Sequence, residues 1–227
     1  MWGAAARTQP HTHTHTHTRT HTHTHTLAHS PTRPRPQYKA TTPAFCRAII
    51  KAANDHHAKH KSWQQGLYTL TKCDMSLKAA PSIEKLLAPL NRELVKTASR
   101  AYGAPLRFKS RNTPHLTKYD KKAGNTGVIL HNDASVFTIN CLLSEPDADF
   151  RGGGTYFEDL DKTIHLDQGE ALLHPGAKLH SGKNISAGVR VILVGFLEEV
   201  PPTNRLRTRL EGGPDGESEP LLAEGGY

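Results

Sequence analysis

The second half of the chain most constrains its fold, because short β-type segments follow one another there at close spacing. Most are rich in β-branched and aromatic residues, and glycine-containing turns such as AGN, RGGG, DQG and PGA separate them. The segments are RFKS, HLTKY, GVILH, SVFTINCLL, GTYFEDL, KTIHL, EALLH and VRVILVGFL. Many short strands at such spacing predict an antiparallel sandwich or a jelly roll.

Two amphipathic helices are predicted before these strands. Thr42 and Pro43 form a good N-cap and N1 pair for a helix through FCRAIIKAAND. The apolar stripe of that helix is Phe45, Ile49 and Ala53. A second helix is expected from about Ser82 to Tyr102, with leucines at helical spacing and a stop at Gly103. Helices followed by strands predict an α+β domain, a jelly roll with N-terminal helices that buttress one of its sheets.

The two ends of the chain lack the apolar periodicity that a core requires. Residues 1–37 contain His-Thr repeats from His11 to Thr26 and then a proline-rich stretch, which predicts a disordered arm. We expect one folded domain over residues 38–200 and a disordered, acidic, glycine-rich tail over residues 201–227. Three readings of the arm compete: weak binding of divalent metals, an organelle transit peptide, and a translated CA dinucleotide repeat. The last is favoured, because it explains the strict alternation without any function.

Composition narrows the classes of function. The formal net charge is +8, but no acidic residue precedes Asp55, so much of the excess lies in the arm. Aromatic residues do not alternate with basic ones, which argues against nucleic-acid binding and leaves the arm as its only plausible site. No apolar run reaches the roughly 18 residues of a membrane span. The cysteines, Cys46, Cys73 and Cys141, are widely spaced and are expected to be buried free thiols.

The motif His131-Asn132-Asp133 carries the clearest chemical signal. Residues i and i+2 of a strand project to the same face, so His131 and Asp133 are expected to bind one ion. His180, from a later strand, is the expected third ligand. Two histidines and one carboxylate form the facial triad of non-haem Fe(II) oxygenases. Zinc hydrolases also use such a set, so these three residues alone leave both classes open.

Arg190 favours the oxygenase. It lies ten residues after His180 in VRVILVGF, where its strand face otherwise carries apolar side chains. A buried guanidinium requires an anionic partner, and a carboxylate matches it in a bidentate pair. The distal carboxylate of 2-oxoglutarate would serve while its keto-acid end chelates iron. The alternative is an ion pair with Glu170 or Asp167 at the edge of a sheet.

Three segments resemble a known family: HNDASVFTIN, FRGGGTYF and LLHPGAKLHSGKNISAGVRVILVGF. They are similar to the catalytic domain of procollagen lysyl hydroxylases and to the wider prolyl 4-hydroxylase superfamily, over roughly Tyr119 to Leu197. The resemblance implies a double-stranded β-helix fold, Fe(II), the cosubstrates 2-oxoglutarate and O2, and the requirement for ascorbate that is often found in this family. The metal ligands that it implies are His131, Asp133 and His180.

The resemblance also implies roles around the metal. Arg190 matches the 2-oxoglutarate arginine, and Tyr119 and Asn140 match residues that line the same pocket. His174 is expected to be structural, holding the turn before His180, and no catalytic residue is implied beyond the metal centre. The chain departs from lysyl hydroxylases at Asn132, where they commonly have His, and collagen-type prolyl hydroxylases usually have Lys at the position of Arg190.

The expected activity is hydroxylation of an unactivated C–H bond in a lysyl or prolyl residue of a protein, with decarboxylation of 2-oxoglutarate to succinate. Two alternatives stay open: hydroxylation of a free amino acid or small metabolite, and a catalytically silent binding module. Family analogy points to the endoplasmic reticulum, although MWGAAARTQP lacks the apolar core of a secretion signal. The sequence predicts no oligomeric state.

Overall fold

A computed structural model of the protein describes residues 35–63, 73–109 and 114–201. The predicted tail over residues 201–227, apart from Pro201, and the His-Thr repeats lie outside the described residues. The helices are α1 (Pro43–His60) and α2 (Pro81–Tyr102), with short 3-10 helices at Leu77–Ala79 and Glu158–Leu160. The strands are β1 (Arg35–Lys39), β2 (Asp74–Ser76), β3 (Leu106–Phe108), β4 (His115–Asp120), β5 (Val128–His131), β6 (Phe137–Leu142), β7 (Phe150–Gly152), β8 (Thr155–Phe157), β9 (Lys162–Ile164), β10 (Glu170–Pro175), β11 (His180–Gly182) and β12 (Ile185–Glu199).

Helix α1 begins as its capping residues predict. The Thr42 side chain accepts a hydrogen bond from the Phe45 backbone N–H at 3.2 Å, and Pro43 occupies the first helical turn. The buried stripe is Cys46, Ile49 and Ala53. Cys46 therefore takes the place expected for Phe45, which is only half-buried, because a shift of one residue turns a side chain about 100° around the helix.

Helix α2 has the length that the leucine spacing predicts. It begins at Pro81, one residue before the predicted start, and is followed by Gly103 in the left-handed conformation, with φ of 68°. Its buried face consists of Ile83, Leu87, Leu90, Leu94 and Ala98. This stripe packs with α1 and with one face of the sheet, so the helices buttress the strands as expected.

The strands form two antiparallel sheets. The larger follows the order β1-β10-β6-β12-β4-β2, with β3 and β7 also paired along β12. The smaller follows the order β5-β11-β8-β9. The longest strand, β12, pairs with both β4 and β6 and extends beyond the predicted VRVILVGFL at each end.

Strand β1 corrects the predicted boundary of the arm. The folded region was expected to begin at residue 38, but β1 begins at Arg35 and pairs with β10. Tyr38 lies opposite Ala171 in this pairing. The partner strand is more than a hundred residues away in the sequence, so the local pattern of RPQYK gives no sign of it.

Alternation along the strands sorts the large sheet into two faces. The face toward the helices carries Ile139 and Cys141 of β6 and Val191 and Leu193 of β12. The opposite, inner face carries Leu142 and Ile192, which pack with residues of the small sheet. The inner cluster is Tyr119, Leu142, Phe150, Phe157, Leu166, Leu172, Ile185 and Ile192. Polar residues on this inner face therefore lie among apolar side chains between the sheets.

Two simpler expectations concern the cysteines and the membrane. All three cysteines are free; Cys46 and Cys141 are buried, and Cys73 is partly exposed. Neither α1 nor α2, the long helices among the described residues, is apolar enough to cross a bilayer.

Candidate metal centre

The structure brings His131, Asp133 and His180 together. One ligand atom from each lies within 4.8 Å of those of the other two. His131 ends β5, and His180 begins β11 directly opposite it in the pairing of these strands. Asp133 lies two residues past the end of β5, so strand alternation does not place it as the sequence suggested. Its backbone is fixed instead by a hydrogen bond of 2.9 Å from its N–H to the carbonyl of Gly176.

An irregularity in β5 sets the direction of His131. His131 pairs with His180, but Val128 pairs with Gly182, so β5 uses one residue more than β11 over this stretch. Such a β-bulge re-aims side chains and is common at sheet edges and beside active sites. Val128 packs against the inner cluster, whereas the intervening Ile129 and Leu130 are exposed.

Backbone carbonyls fix both histidine rings. His131 Nδ1 lies 2.7 Å from the carbonyl of Ile129, and His180 Nδ1 lies 2.8 Å from the carbonyl of Lys178. Because a carbonyl only accepts, each Nδ1 must donate, and in the neutral ring the lone pair is then on Nε2. These Nε2 atoms face Asp133, 3.5 Å from Oδ1 for His131 and 3.4 Å from Oδ2 for His180. At metal sites, a hydrogen bond from the other ring nitrogen to a backbone carbonyl holds the imidazole in the orientation that binds the ion.

The charges of the three residues also suit a divalent cation. Burial raises the pKa of Asp133, but its contact with the His131 ring and the hydrogen bond from Thr138 outweigh burial and lower that pKa overall, which favours the ionised carboxylate. Burial lowers the pKa of His180, which favours the neutral ring that binds metals. Burial also lowers the pKa of His131, but its contacts with Asp133 and the Ile129 carbonyl outweigh burial and raise that pKa overall. With both rings in their neutral form, two imidazoles and one carboxylate would fit Fe(II) or Zn(II).

The turn after β10 clamps the loop that carries Asp133. A Cβ atom on Gly176 would lie 2.3 Å from the Ser135 carbonyl oxygen and 2.9 Å from that of Asp133. The Gly176 N–H also bonds the Val136 carbonyl at 3.1 Å. Only glycine allows this approach, which accounts for the glycine of the HPG sequence.

His174 lies beneath the candidate ligands. It is fully buried, 4.4 Å from the His180 ring and 5.1 Å edge-on from the Phe157 ring, measured between ring centroids. Its Nδ1 donates to the Pro175 carbonyl, and its Nε2 accepts from Asn140 at 3.3 Å. Burial lowers the pKa of His174 to about 3, so the ring is neutral. These contacts suit the structural role expected for it.

Arg190 is buried on the inner face without an acidic partner. It is 3% exposed, and its guanidinium lies 5.4 Å from the Tyr119 ring and 6.0 Å from the Phe150 ring. Within the described ranges its Nε has no hydrogen-bond partner and no carboxylate forms an ion pair with it. The alternative partner Glu170 instead accepts the backbone N–H of Asp167 at 2.9 Å. Among the described residues, therefore, nothing supplies the anion that a buried guanidinium calls for.

A cavity of about 270 Å³ lies against Arg190. Its apolar and glycine lining includes Leu142, Phe150, Gly152 and Gly154, and Asp167 lies at it without pairing with Arg190. None of the three candidate metal ligands lines it. The cavity therefore marks open space at the guanidinium but does not itself join Arg190 to the metal ligands.

The other predicted pocket residues are placed on the same inner face. Tyr119 is buried and lies opposite Arg190 in the pairing of β4 with β12. Asn140 is buried and bonds His174. Thr138 was not among the predicted site residues, but its hydroxyl lies 2.5 Å from Asp133 Oδ2. It lies two residues before Asn140 on the same strand, so alternation along FTIN was the available signal.

Comparisons with known proteins agree with this geometry. No family model matches the sequence. A segment of 71 residues is 39% identical to procollagen-lysine,2-oxoglutarate 5-dioxygenase 2 of Homo sapiens, and 38% identical to procollagen-lysine,2-oxoglutarate 5-dioxygenase 1 of Mus musculus. Each alignment covers 30% of this chain and 10% of the relative, so the match spans about a tenth of the length of these curated relatives.

Solved structures extend the likeness to most of the chain. A viral collagen prolyl hydroxylase from Paramecium Bursaria Chlorella virus-1, solved as a 2OG complex, aligns with a TM-score of 0.51 at 15% identity, covering 71% of this chain and 94% of that one. The non-heme alpha ketoglutarate dependent epimerase SnoN from nogalamycin biosynthesis aligns with a TM-score of 0.53 at 18% identity, covering 81% and 86%. The chain has the fold of the 2OG-Fe(II) oxygenases. The resemblance seen in the sequence is thereby confirmed, at the level of the fold and of the matched segment.

Proposed function

We propose that the protein is an Fe(II)- and 2-oxoglutarate-dependent dioxygenase whose two antiparallel sheets form a double-stranded β-helix. The observation that carries the proposal is the convergence of His131, Asp133 and His180 on one point, with Nε2 of both rings directed at the carboxylate. The unpaired Arg190 on the same inner face distinguishes this reading from a zinc hydrolase, because a hydrolase needs no buried cation for a cosubstrate.

In this proposal, the three ligands hold Fe(II) and leave positions open for other groups. The bound iron, with 2-oxoglutarate and O2, would supply decarboxylation to succinate and CO2 and hydroxylation of a C–H bond, with ascorbate as a reductant. Arg190 binds the distal carboxylate through a bidentate, charge-assisted pair, and the neighbouring Tyr119 lines the same pocket. The fixed Nδ1 donors of His131 and His180 prevent either ring from rotating out of place.

The apolar surroundings keep water from the cosubstrate. Phe150 and Tyr119 flank the guanidinium, and Phe157 and Ile192 fill the space between the sheets. Among apolar side chains the attraction between two opposite charges is stronger than in water, and the free-energy cost of an unpaired charge is higher. Binding of 2-oxoglutarate therefore both supplies the missing anion and completes the packing around Arg190.

Exposed apolar side chains favour a polypeptide substrate over a free metabolite. The exposed large hydrophobics of the described residues lie close in sequence to the candidate ligands or to Phe157, the strand partner of His180. They are Ile129, Leu130, Val136 and Leu160. Ile129 is 71% exposed although His131 follows two residues later. Exposed apolar groups beside a site mark a surface that another molecule covers, and a small polar metabolite could not cover these. We therefore favour a lysyl or prolyl residue of a protein as the substrate.

The proposal is tested by turnover of 2-oxoglutarate. Purified protein should convert 2-oxoglutarate to succinate with Fe(II) and O2, and Asp133→Ala should abolish this, because it removes one of three ligands and the only carboxylate among them. Asp55→Ala is the matched control, since it makes the same substitution at an exposed carboxylate of α1, outside the ligand set. Full turnover by Asp133→Ala, or activity with Zn(II) in place of Fe(II), would refute the proposal. Mass spectrometry of lysine- and proline-containing peptides then identifies the hydroxylated residue.

A further inference from the structure

The C-terminal end of α1 carries three histidines, His56, His57 and His60, each at least partly exposed. His56 and His60 are four residues apart, so they share one face of the helix. Their ring centroids are 4.6 Å apart, with an angle of 40° between the ring planes. Two histidines at this spacing on one helix face are a known pair of zinc ligands.

A backbone hydrogen bond removes His57 from the possible ligands. The Trp63 N–H donates to His57 Nδ1 at 3.1 Å, so this nitrogen uses its lone pair as an acceptor. In the neutral ring the hydrogen is then on Nε2, and neither nitrogen has a lone pair left for a cation. His57 therefore holds the chain that leaves α1 and cannot bind a metal while it does so.

His56 has the opposite arrangement. Its Nδ1 lies 2.8 Å from the hydroxyl oxygen of Ser62, a residue that is 8% exposed. A hydroxyl can accept as well as donate, so Ser62 can accept the Nδ1 hydrogen and leave the lone pair of His56 on Nε2. The same contact fixes the orientation of the ring, as backbone carbonyls do for His131 and His180.

His60 is the more adaptable member of the pair. It is exposed, and within the described part of the chain no hydrogen bond engages its ring. Zinc binds histidine nitrogen at about 2.0–2.1 Å, so tetrahedral coordination needs two nitrogens about 3.3 Å apart. Rotation of the exposed His60 side chain can bring its nitrogen to this distance from His56 Nε2.

We propose that His56 and His60 form a second metal site, which binds Zn(II) or another divalent cation that prefers imidazole nitrogen. The C-terminal end of a helix favours a cation, because the helix dipole is negative there. The neighbouring Lys59 and Lys61 are exposed, so water and salt screen their charges. The bound ion links two successive turns at the end of the helix that buttresses the large sheet. The site shares no residue with the candidate metal centre and does not depend on the proposed function.

Residue-resolved chemical modification of the full chain tests the proposal. Diethyl pyrocarbonate reacts with imidazole nitrogens that have a free lone pair, and peptide mass spectrometry then reports each histidine separately, so histidines elsewhere do not interfere. At saturating free Zn(II), fixed by a metal buffer, modification of His56 and His60 should slow by about tenfold or more, because only the small empty fraction of the site reacts.

Three variants separate a shared ion from independent binding. His56→Gln should raise the Zn(II) concentration for half-protection of His60 by about tenfold or more, because a single imidazole lacks the second linked ligand. His57→Gln is the matched control, on the same turn, and should leave that concentration unchanged. Ser62→Ala should raise it by about 10- to 100-fold, the usual effect of losing a partner that orients a ligand.

Two results would overturn the proposal. One is equal protection of His60 by Zn(II) in wild type and in His56→Gln, and the other is no protection of either histidine at about 1 mM free Zn(II), the weak end of ordinary affinities. If His56→Gln does not fold, His60→Gln at the exposed position is judged by the protection of His56. None of these measurements uses 2-oxoglutarate, so a protein that does not turn over 2-oxoglutarate would refute the proposed function and leave this inference intact.

Discussion

Replacement of Arg190 by Met should change two properties in opposite directions. The guanidinium is 3% exposed and has no acidic partner among the described residues, so without cosubstrate it is an uncompensated charge in an apolar space. Methionine is also long and unbranched, and it removes that charge. Replacing buried charged groups by apolar residues of similar volume is neutral or stabilises proteins by roughly 1–4 kcal/mol. We therefore expect the melting temperature without 2-oxoglutarate to stay the same or rise in Arg190→Met.

The affinity for 2-oxoglutarate should fall sharply in the same variant. Loss of a buried, charge-assisted partner costs roughly 2–5 kcal/mol. At about 1.4 kcal/mol for each factor of ten, the dissociation constant should rise roughly thirtyfold to several-thousandfold. Fe(II) affinity without cosubstrate should stay near wild type, because the guanidinium is not one of the candidate ligands. Arg190→Lys should show a smaller loss, since an ammonium keeps the charge but not the planar fork.

The assay is a calorimetric titration of 2-oxoglutarate into the anaerobic Fe(II) protein, together with thermal unfolding of the same samples without 2-oxoglutarate. The pair of measurements excludes the competing explanation directly. If Arg190 paired with a protein acid, Arg190→Met would leave that acid buried and unpaired and would destabilise the fold by several kcal/mol. Unchanged 2-oxoglutarate affinity combined with a lower melting temperature would therefore refute the assignment of Arg190.

Three further perturbations test the surroundings of the site. Gly176→Ala should destabilise the protein by roughly 1–3 kcal/mol in a denaturant titration and weaken Fe(II) binding, because its Cβ would collide with the Ser135 carbonyl. In the control Gly103→Ala, the new Cβ meets nothing within 4 Å but alanine must take a φ of 68°, so it should cost roughly 1–2 kcal/mol of stability and leave Fe(II) binding unchanged. A chain that begins at residue 33 should fold and turn over 2-oxoglutarate like the full chain. A chain that begins at residue 41 lacks β1 and should unfold at a lower denaturant concentration. Equal stability of these two chains would show that β1 contributes nothing to the stability of the fold. Ile129→Ser should change the free energy of unfolding by no more than about 0.5 kcal/mol and leave the affinity for 2-oxoglutarate unchanged. It should raise the KM for a peptide substrate, because it removes an exposed apolar contact. An unchanged KM would contradict the proposal that this surface binds a polypeptide.

The elements that the sequence predicted well are those with local signals. Thr42 and Pro43 mark a helix start through their own side chain and ring, and Gly103 marks a stop through its left-handed backbone. The run VRVILVGFL is recognisable because β-branched residues and alternation agree over its length. Such signals depend on neighbours within a few residues, so the elements can be predicted without knowing which strands pair with which.

The features that the sequence did not reveal depend on distant pairing. Strand β1 exists because β10 offers it a partner, and nothing within RPQYK specifies that partner. The extra residue in β5 is defined only against β11, so the exposure of Ile129 and Leu130 could not be read from VILH. For the same reason the position of Asp133 was expected on a strand, whereas a carbonyl of the distant Gly176 holds it in a loop.

The candidate site depends both on residues that are close in sequence and on pairing between distant strands. His131 and Asp133 are close in sequence, but their ligand atoms converge only because β11 brings His180 opposite His131 and because the Gly176 turn holds the loop beyond β5. Both constraints come from residues 176–180, which are the turn after β10 and the first residue of β11, so this short stretch supplies one ligand and fixes another. A change there alters two of three ligands at once, whereas a change at Arg190 alters none of them. We therefore expect the proposed binding of metal and the proposed binding of 2-oxoglutarate to be separable by mutation.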